Sequence, residues 1–148
     1  MIAVVQRVLN ASVTVEVPPH CESIKDGLCI FLGIETGDDS SQAKWMAKKL
    51  SNLRLFKDEN EKMNLSLQDI GGELLLISQF TLAGDCSKGN RPSFIRAAQP
   101  EIAEPLVHLV RDFLQTEHKI AVKTGVFGAM MKIELTNDGP VTLIVQRD

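Results

Sequence analysis

Hydrophobic and polar positions alternate at the start of the chain and then switch to helical spacing. Ile2 to Val8 and Ser12 to Val17 read as strands, the second with Val13, Val15 and Val17 against Ser12, Thr14 and Glu16. Gly27 to Ile34 is an apolar run and predicts a buried strand. After the cap signal Gly37-Asp38-Asp39-Ser40, Met46, Leu50 and Leu53 fall on one helix face, with Trp45 off the stripe and expected against a neighbouring element. Asp58 to Lys62 is a charged turn and Met63 to Leu67 a short strand. Glu73 to Leu82 follows a double glycine, is apolar up to Ile77, and should lie centrally in a sheet. A second helix is predicted from Glu101 to Glu117, with Pro105 in its first turn and Leu106, Leu109, Val110, Phe113 and Leu114 covering a sheet face. Ala121 to Lys123, Met131 to Thr136 and Val141 to Gln146 finish the chain as strands. This order predicts α+β architecture in one layered domain spanning residues 1–148.

Composition narrows the class. A chain of 148 residues, 44% hydrophobic and 24% charged, suits one soluble globular core. Met1 to Arg7 lacks the signature of a signal peptide, and no apolar run approaches the roughly 20 residues of a membrane helix, so a cytoplasmic protein is expected. Three irregularly spaced cysteines exclude a complete internal disulfide framework. Cys29 reads as core, while Cys86, near Lys88, lacks the sequence-adjacent histidine a thiol nucleophile would want. His20, His108 and His118 share no metal-ligand spacing with one another or with the cysteines, so a zinc site is not expected; no cofactor is expected either. The net charge of −3 argues for few phosphate contacts. Basic residues nevertheless cluster at Lys44, Lys48, Lys49, Arg54 and Lys57, which read as a solvated helix face, and at Lys88, Arg91 and Arg96 in a loop.

Side-chain chemistry alone points nowhere definite. Ser78 is not in a nucleophile elbow and has no evident base, and Asp85 and Asp138 read as turn residues. An ester needs less help than an amide, and backbone N–H groups at the strand end from Ser78 to Thr81 are candidate oxyanion donors. The plain alternative is that Ser78, Gln79 and Thr81 only terminate a strand, and that Asn137-Asp138-Gly139-Pro140 is an ordinary hairpin turn with a trans bond.

Ordered motifs change this picture. Ser78-Gln79-Phe80-Thr81-Leu82 precedes Asn137-Asp138-Gly139-Pro140-Val141-Thr142 by roughly sixty residues, with Lys88-Gly89-Asn90-Arg91-Pro92-Ser93-Phe94 between. Ala3 to Val8, Asn52 to Phe56, Gly71 to Leu75 and Gly125 to Met131 complete a match along nearly the whole chain. The sequence resembles the D-aminoacyl-tRNA deacylases, ester hydrolases that strip D-amino acids, and glycine, from tRNA. The resemblance implies a curled, barrel-like mixed β-sheet with helices packed outside, and a homodimer in which a Gly-cisPro motif enters the partner's active site. Carried over, Gly139 and Pro140 become the chiral selector, Arg7 its brace, and Phe127 and Met131 pocket-lining positions. Ser78, Gln79, Phe80 and Thr81 become the catalytic strand end, facing the 3′-terminal adenosine and the ester of D-aminoacyl-tRNA or glycyl-tRNA. Lys88 and Arg91 are the tRNA-backbone candidates.

The implied selectivity has a simple physical form. If carbonyls of Gly139 and Pro140 hold the substrate's α-amino group, a D-residue points its side chain outward and an L-residue drives its Cβ into the carbonyl wall. Glycine, without a Cβ, passes. This sequence departs from the family at the Val17-Pro18-Pro19-His20-Cys21 hairpin, at Ala83, where an aromatic residue often stands, and at Asn90, often basic. Phe80 and Asp138 favour the D-specific branch over the related L-alanine-removing one. The competing reading is a nucleic-acid-binding module without catalysis, using the basic loop alone.

Overall fold

One long strand organises the sheet. The computed structural model describes residues 1–147. It consists of β1 (Ile2–Val15), β2 (His20–Ile24), β3 (Gly27–Gly33), α1 (Ser40–Asn52), β4 (Phe56–Lys57), β5 (Met63–Leu65), α2 (Leu67–Ile70), β6 (Glu73–Ser78), α3 (Pro100–Thr116), β7 (Ala121–Thr124) and β8 (Met131–Gln146). β1 pairs antiparallel with β8 along its whole length and, on its other side, with β3 through its first half and β2 through its second. β3, β6 and β7 continue the sheet in parallel, which makes it mixed and puts β6 between two neighbours. β4 and β5 form a separate two-stranded ribbon.

The sequence predicts two strands where β1 is one. The break in alternation at Leu9 is a bulge: Val8 faces Asn137 and Asn10 faces Thr136, leaving Leu9 unpaired and exposed. One extra residue flips the side-chain parity. Ala3 and Val5 therefore point toward the helices, whereas Ala11, Val13 and Val15 join Val8 on the opposite, concave face. The same kind of irregularity merges the two predicted C-terminal strands into β8, and Asn137 to Pro140 is no hairpin turn.

Two apolar layers result. Leu28, Ile30 and Leu32 of β3 and Leu74 and Leu76 of β6 meet Met46 and Leu50 of α1 and Val107, Val110 and Leu114 of α3. The alternate residues Cys29, Leu75 and Ile77 face inward against Met131, Ile133 and Leu135 of β8, filling the curl. Each fully buried aliphatic side chain contributes about 1.5–3 kcal/mol. Burial also pushes the Cys29 thiol up to about 12, so it stays protonated and serves as core. The ladder does not close, but two side-chain contacts bridge the gap between β2 and β7. His20 Nε2 lies 2.7 Å from the Thr124 carbonyl and so carries the donated proton, and Lys123 Nζ lies 3.3 Å from Glu22.

The helices start where the caps predict, with differences in detail. Asp39 and Gln42 form a capping box on α1, and hydrogen bonding from the Ser41 side chain and then its N–H holds the Asp39 carboxyl below its usual range. Leu53 is the C-cap rather than a helical residue. Trp45 is half-buried against the core, with Arg147 over its ring at 5.1 Å. In α3 Pro100 takes the first position, so Pro105 falls in the second turn and not the first. That is tolerated because Pro105 and Glu101, whose carbonyl loses its partner, are both exposed to water. The buried stripe is Ala103, Val107, Val110 and Leu114, with Leu106, Leu109 and Phe113 flanking it. β2 and α2 carry no periodic signal at their lengths and are not foreseen; the Val15 to His20 pairing shows that the Pro18-Pro19 variant still closes a hairpin.

Candidate functional site

At Ser78 β6 stops and the chain turns into a 3₁₀ segment, Phe80–Ala83. Gln79 N–H makes the last bond to the sheet, at 2.8 Å to the Leu32 carbonyl. As at any helix start, the next donors lose their partners. Among the described residues no group accepts from the N–H of Phe80 or Thr81. Ser78, Gln79 and Phe80 line a cavity of about 610 Å³ together with Phe127, Met131 and the start of α3. Five of the residues singled out from sequence thus converge on one predominantly apolar hollow.

Thr81 stands beside the cavity and does not line it. Its hydroxyl accepts from Gln79 Nε2 at 2.6 Å, and among the described residues no histidine or carboxylate is hydrogen-bonded to it. None of them therefore stands as an activating base on Thr81. Ala83 is fully buried and does not line the cavity. Phe94, to which sequence reasoning gave no role, packs edge-on against Phe80 with ring centroids 5.3 Å apart and lines the cavity. An aromatic residue in a polar loop is the signal that could have found it. Met130, 91% exposed, sits at the mouth.

The loop before Phe94 is closed by reciprocal backbone bonds between Asp85 and Ser93 at 2.8 and 3.0 Å. The Ser87 N–H holds the Asp85 carboxyl below its usual range. Lys88 and Arg91 project from this loop into solvent and make no ion pair among the described residues. Arg96 is engaged, at 3.2 Å from Glu35. In the helix cluster Lys44 pairs with Glu117 and Lys57 with Glu61, and Lys49 lies over the Trp45 ring.

Gly139 and Pro140 lie elsewhere. Asp138, Gly139, Pro140 and Val141 bulge out of β8 opposite Arg7 alone, and the Gly139–Pro140 bond is cis. Arg7 is buried, and its guanidinium fills the space behind the bulge. Nε lies 3.2 Å from the Asp138 carbonyl and 3.3 Å from its carboxylate, and Nη1 donates to the Leu55 carbonyl at 2.6 Å. A buried cation is tolerable only with such partners. Leu55 had no sequence signal as a partner, because only its backbone is used. Gly139 and Pro140 are exposed and line no part of the cavity beside Ser78.

The glycine is compulsory here. Gly139 has φ +124°, and an added Cβ would stand 2.9 Å from Arg7 Nη2 and 2.9 Å from Val141 Cγ2. We expect Gly139→Ala to lower unfolding stability by about 1–3 kcal/mol. Urea denaturation checks this, and an unchanged midpoint would mean that Arg7 and the bulge relax freely.

Comparison with known proteins is consistent over the full length. The family model described as D-Tyr-tRNA(Tyr) deacylase matches residues 4–146. A protein of Flavobacterium psychrophilum named D-aminoacyl-tRNA deacylase is 50% identical over 145 residues, covering 98% of this chain and 96% of its own. One of the same name from Clostridioides difficile is 51% identical over 147 residues, again covering 98% and 96%. Among solved structures, the c-Myc DNA Unwinding Element Binding Protein superposes with TM-score 0.92 at 39% identity, covering 100% of this chain and 99% of that one. A probable eukaryotic D-amino acid tRNA deacylase, 14% identical with TM-score 0.81 over 97% of each chain, shares the fold.

Proposed function

Because the chain belongs to the D-Tyr-tRNA(Tyr) deacylase family, we propose that it hydrolyses the ester of D-aminoacyl-tRNA, releasing free D-amino acid and tRNA. The supporting observation is the strand end at Ser78 to Phe80, which opens on an apolar cavity with two unpaired N–H donors, on Phe80 and Thr81, at its edge. Donors fixed by a strand-to-turn transition need no reorganisation when negative charge develops on an ester oxygen. The 3′-terminal adenosine occupies the cavity against Phe127 and Met131, and the ester carbonyl faces those N–H groups. Thr81, held by Gln79 and without a base, orients the substrate, while the 2′-hydroxyl of the terminal ribose assists water.

The working unit in this reading is a homodimer of single-domain chains acting in the cytoplasm, without metal or cofactor. β8 pairs only with β1 among the described residues, so its outer edge is open, and Leu143 and Ile144 beside it are exposed. Gly139 and Pro140, exposed and outside their own chain's cavity, reach the partner's strand end. There their carbonyls receive the α-amino group and exclude an L-residue's Cβ, and glycyl-tRNA, lacking one, is also cleaved.

Incubation of the purified protein with D- and L-aminoacyl-tRNA tests the whole reading. Loss of the D-ester with the L-ester intact is expected. Binding with both esters intact would replace it by the second reading, a non-catalytic nucleic-acid-binding module, which draws on the name of the structurally similar DNA unwinding element binding protein.

Two variants refine the roles. Thr81→Ala should slow single-turnover deacylation by less than about a hundredfold, under about 2.7 kcal/mol, because an orienting hydroxyl is lost and not a nucleophile. A trapped Thr81 acyl-enzyme would overturn that assignment. Lys88→Ala and Arg91→Ala should each raise KM for tRNA and reduce the log–log salt slope by roughly one unit or slightly less. An unchanged slope would place the RNA backbone elsewhere.

A further inference from the structure

A bulge of this size needs its ends held, and one carboxamide holds both. Asn137 is the last residue of β8 in register before the bulge, opposite Val8, and Thr142 is the first after it, opposite Gln6. Asn137 Oδ1 accepts the Val141 N–H at 3.1 Å, and Nδ2 donates to Thr142 Oγ1 at 2.8 Å. The orientation of the amide follows from chemistry, since only its oxygen can accept from a backbone N–H. Gln6 Nε2 donates to the same Thr142 oxygen at 3.3 Å, tying the clamp back to β1. Arg7 grips the other side through the Asp138 carbonyl. Between these anchors Gly139 and Pro140 have no register partner, and a glycine there leaves the backbone many alternatives.

We infer that Asn137, anchored on Thr142, is a positioning residue for chiral selection: its carboxamide fixes the direction of the Gly139 and Pro140 carbonyls and thereby keeps L-esters out. The inference rests on the reading above that these carbonyls receive the substrate's α-amino group. Excluding one carbon atom demands placement to a fraction of an ångström, because a shift of about 1 Å can change a rate a hundredfold. Arg7 alone fixes only the Asp138 end of the bulge. Asn137 fixes the Val141 end, next to Pro140.

The test measures hydrolysis of matched D- and L-aminoacyl-tRNA by wild-type protein, Asn137→Ala, Thr142→Val and Thr142→Ser. Asn137→Ala and Thr142→Val should gain L-ester hydrolysis, narrowing the D/L ratio at least about tenfold, or 1.4 kcal/mol. Thr142→Ser, which keeps the hydroxyl, should retain the wild-type ratio. A residue that merely stabilised the fold would lose D-activity without gaining L-activity, so that result overturns the inference, as does an unchanged ratio in both variants. Circular dichroism establishes folding. If Asn137→Ala does not fold, the Thr142→Val and Thr142→Ser pair decides the matter. Wild-type protein that fails to prefer the D-ester overturns the underlying reading, whereas discriminating wild-type protein with unaltered variants overturns this inference alone.

Discussion

Arg7 is a charge placed where little water reaches it, and much of the molecule is arranged around meeting that demand. Its side chain is 7% exposed, and moving a guanidinium that far from solvent is tolerable only when its donors find oxygen atoms. One partner comes from the segment after α1, through the Leu55 carbonyl, and two come from Asp138 on β8. To bring Asp138 there, β8 must leave the ladder with Asp138, Gly139, Pro140 and Val141 opposite a single residue. The bulge is thus the way the sheet accommodates a buried cation, and the exposed Gly139-Pro140 dipeptide is its outer surface.

The β1–β8 ladder has to survive that interruption, and it does so because both strands continue in register on either side. Ile2 to Gln6 pair with Thr142 to Gln146, and Asn10 to Val15 pair with Met131 to Thr136. The second irregularity, at Leu9, gives the two halves opposite parity, so the first half serves the helical layer and the second fills the curl. Curling in turn sets the strand end at Ser78 beside Phe127 and Met131. Pocket and bulge are separate features of one sheet, built by different bulges and strand ends of the same pairing.

This separation fits the proposed assembly. In that proposal the cavity edged by the Phe80 and Thr81 N–H groups and the exposed Gly139-Pro140 dipeptide, which lies outside it, are brought together by a second chain. Among the described residues no base is hydrogen-bonded to Thr81, which agrees with the proposal that an ester is cleaved by orientation and oxyanion donors.

The sequence by itself determined the elements with clear periods: the buried strands at Gly27 and Glu73, the capped helix after Asp39, and the long amphipathic α3. Its ordered motifs also sufficed to identify the family, since the residues that match are spread from β1 to β8. Local pattern could not determine that Val8 and Ala11 belong to one strand, or that Asn137 to Thr142 runs on within a strand instead of turning back. Both depend on which strand lies opposite, and pairing partners more than a hundred residues apart leave no trace in a window of ten. The partners of Arg7 were equally hidden, because a backbone carbonyl such as Leu55's is the same in every residue. Only the folded chain decides which carbonyl a buried guanidinium meets, and its desolvation leaves no alternative but to meet one.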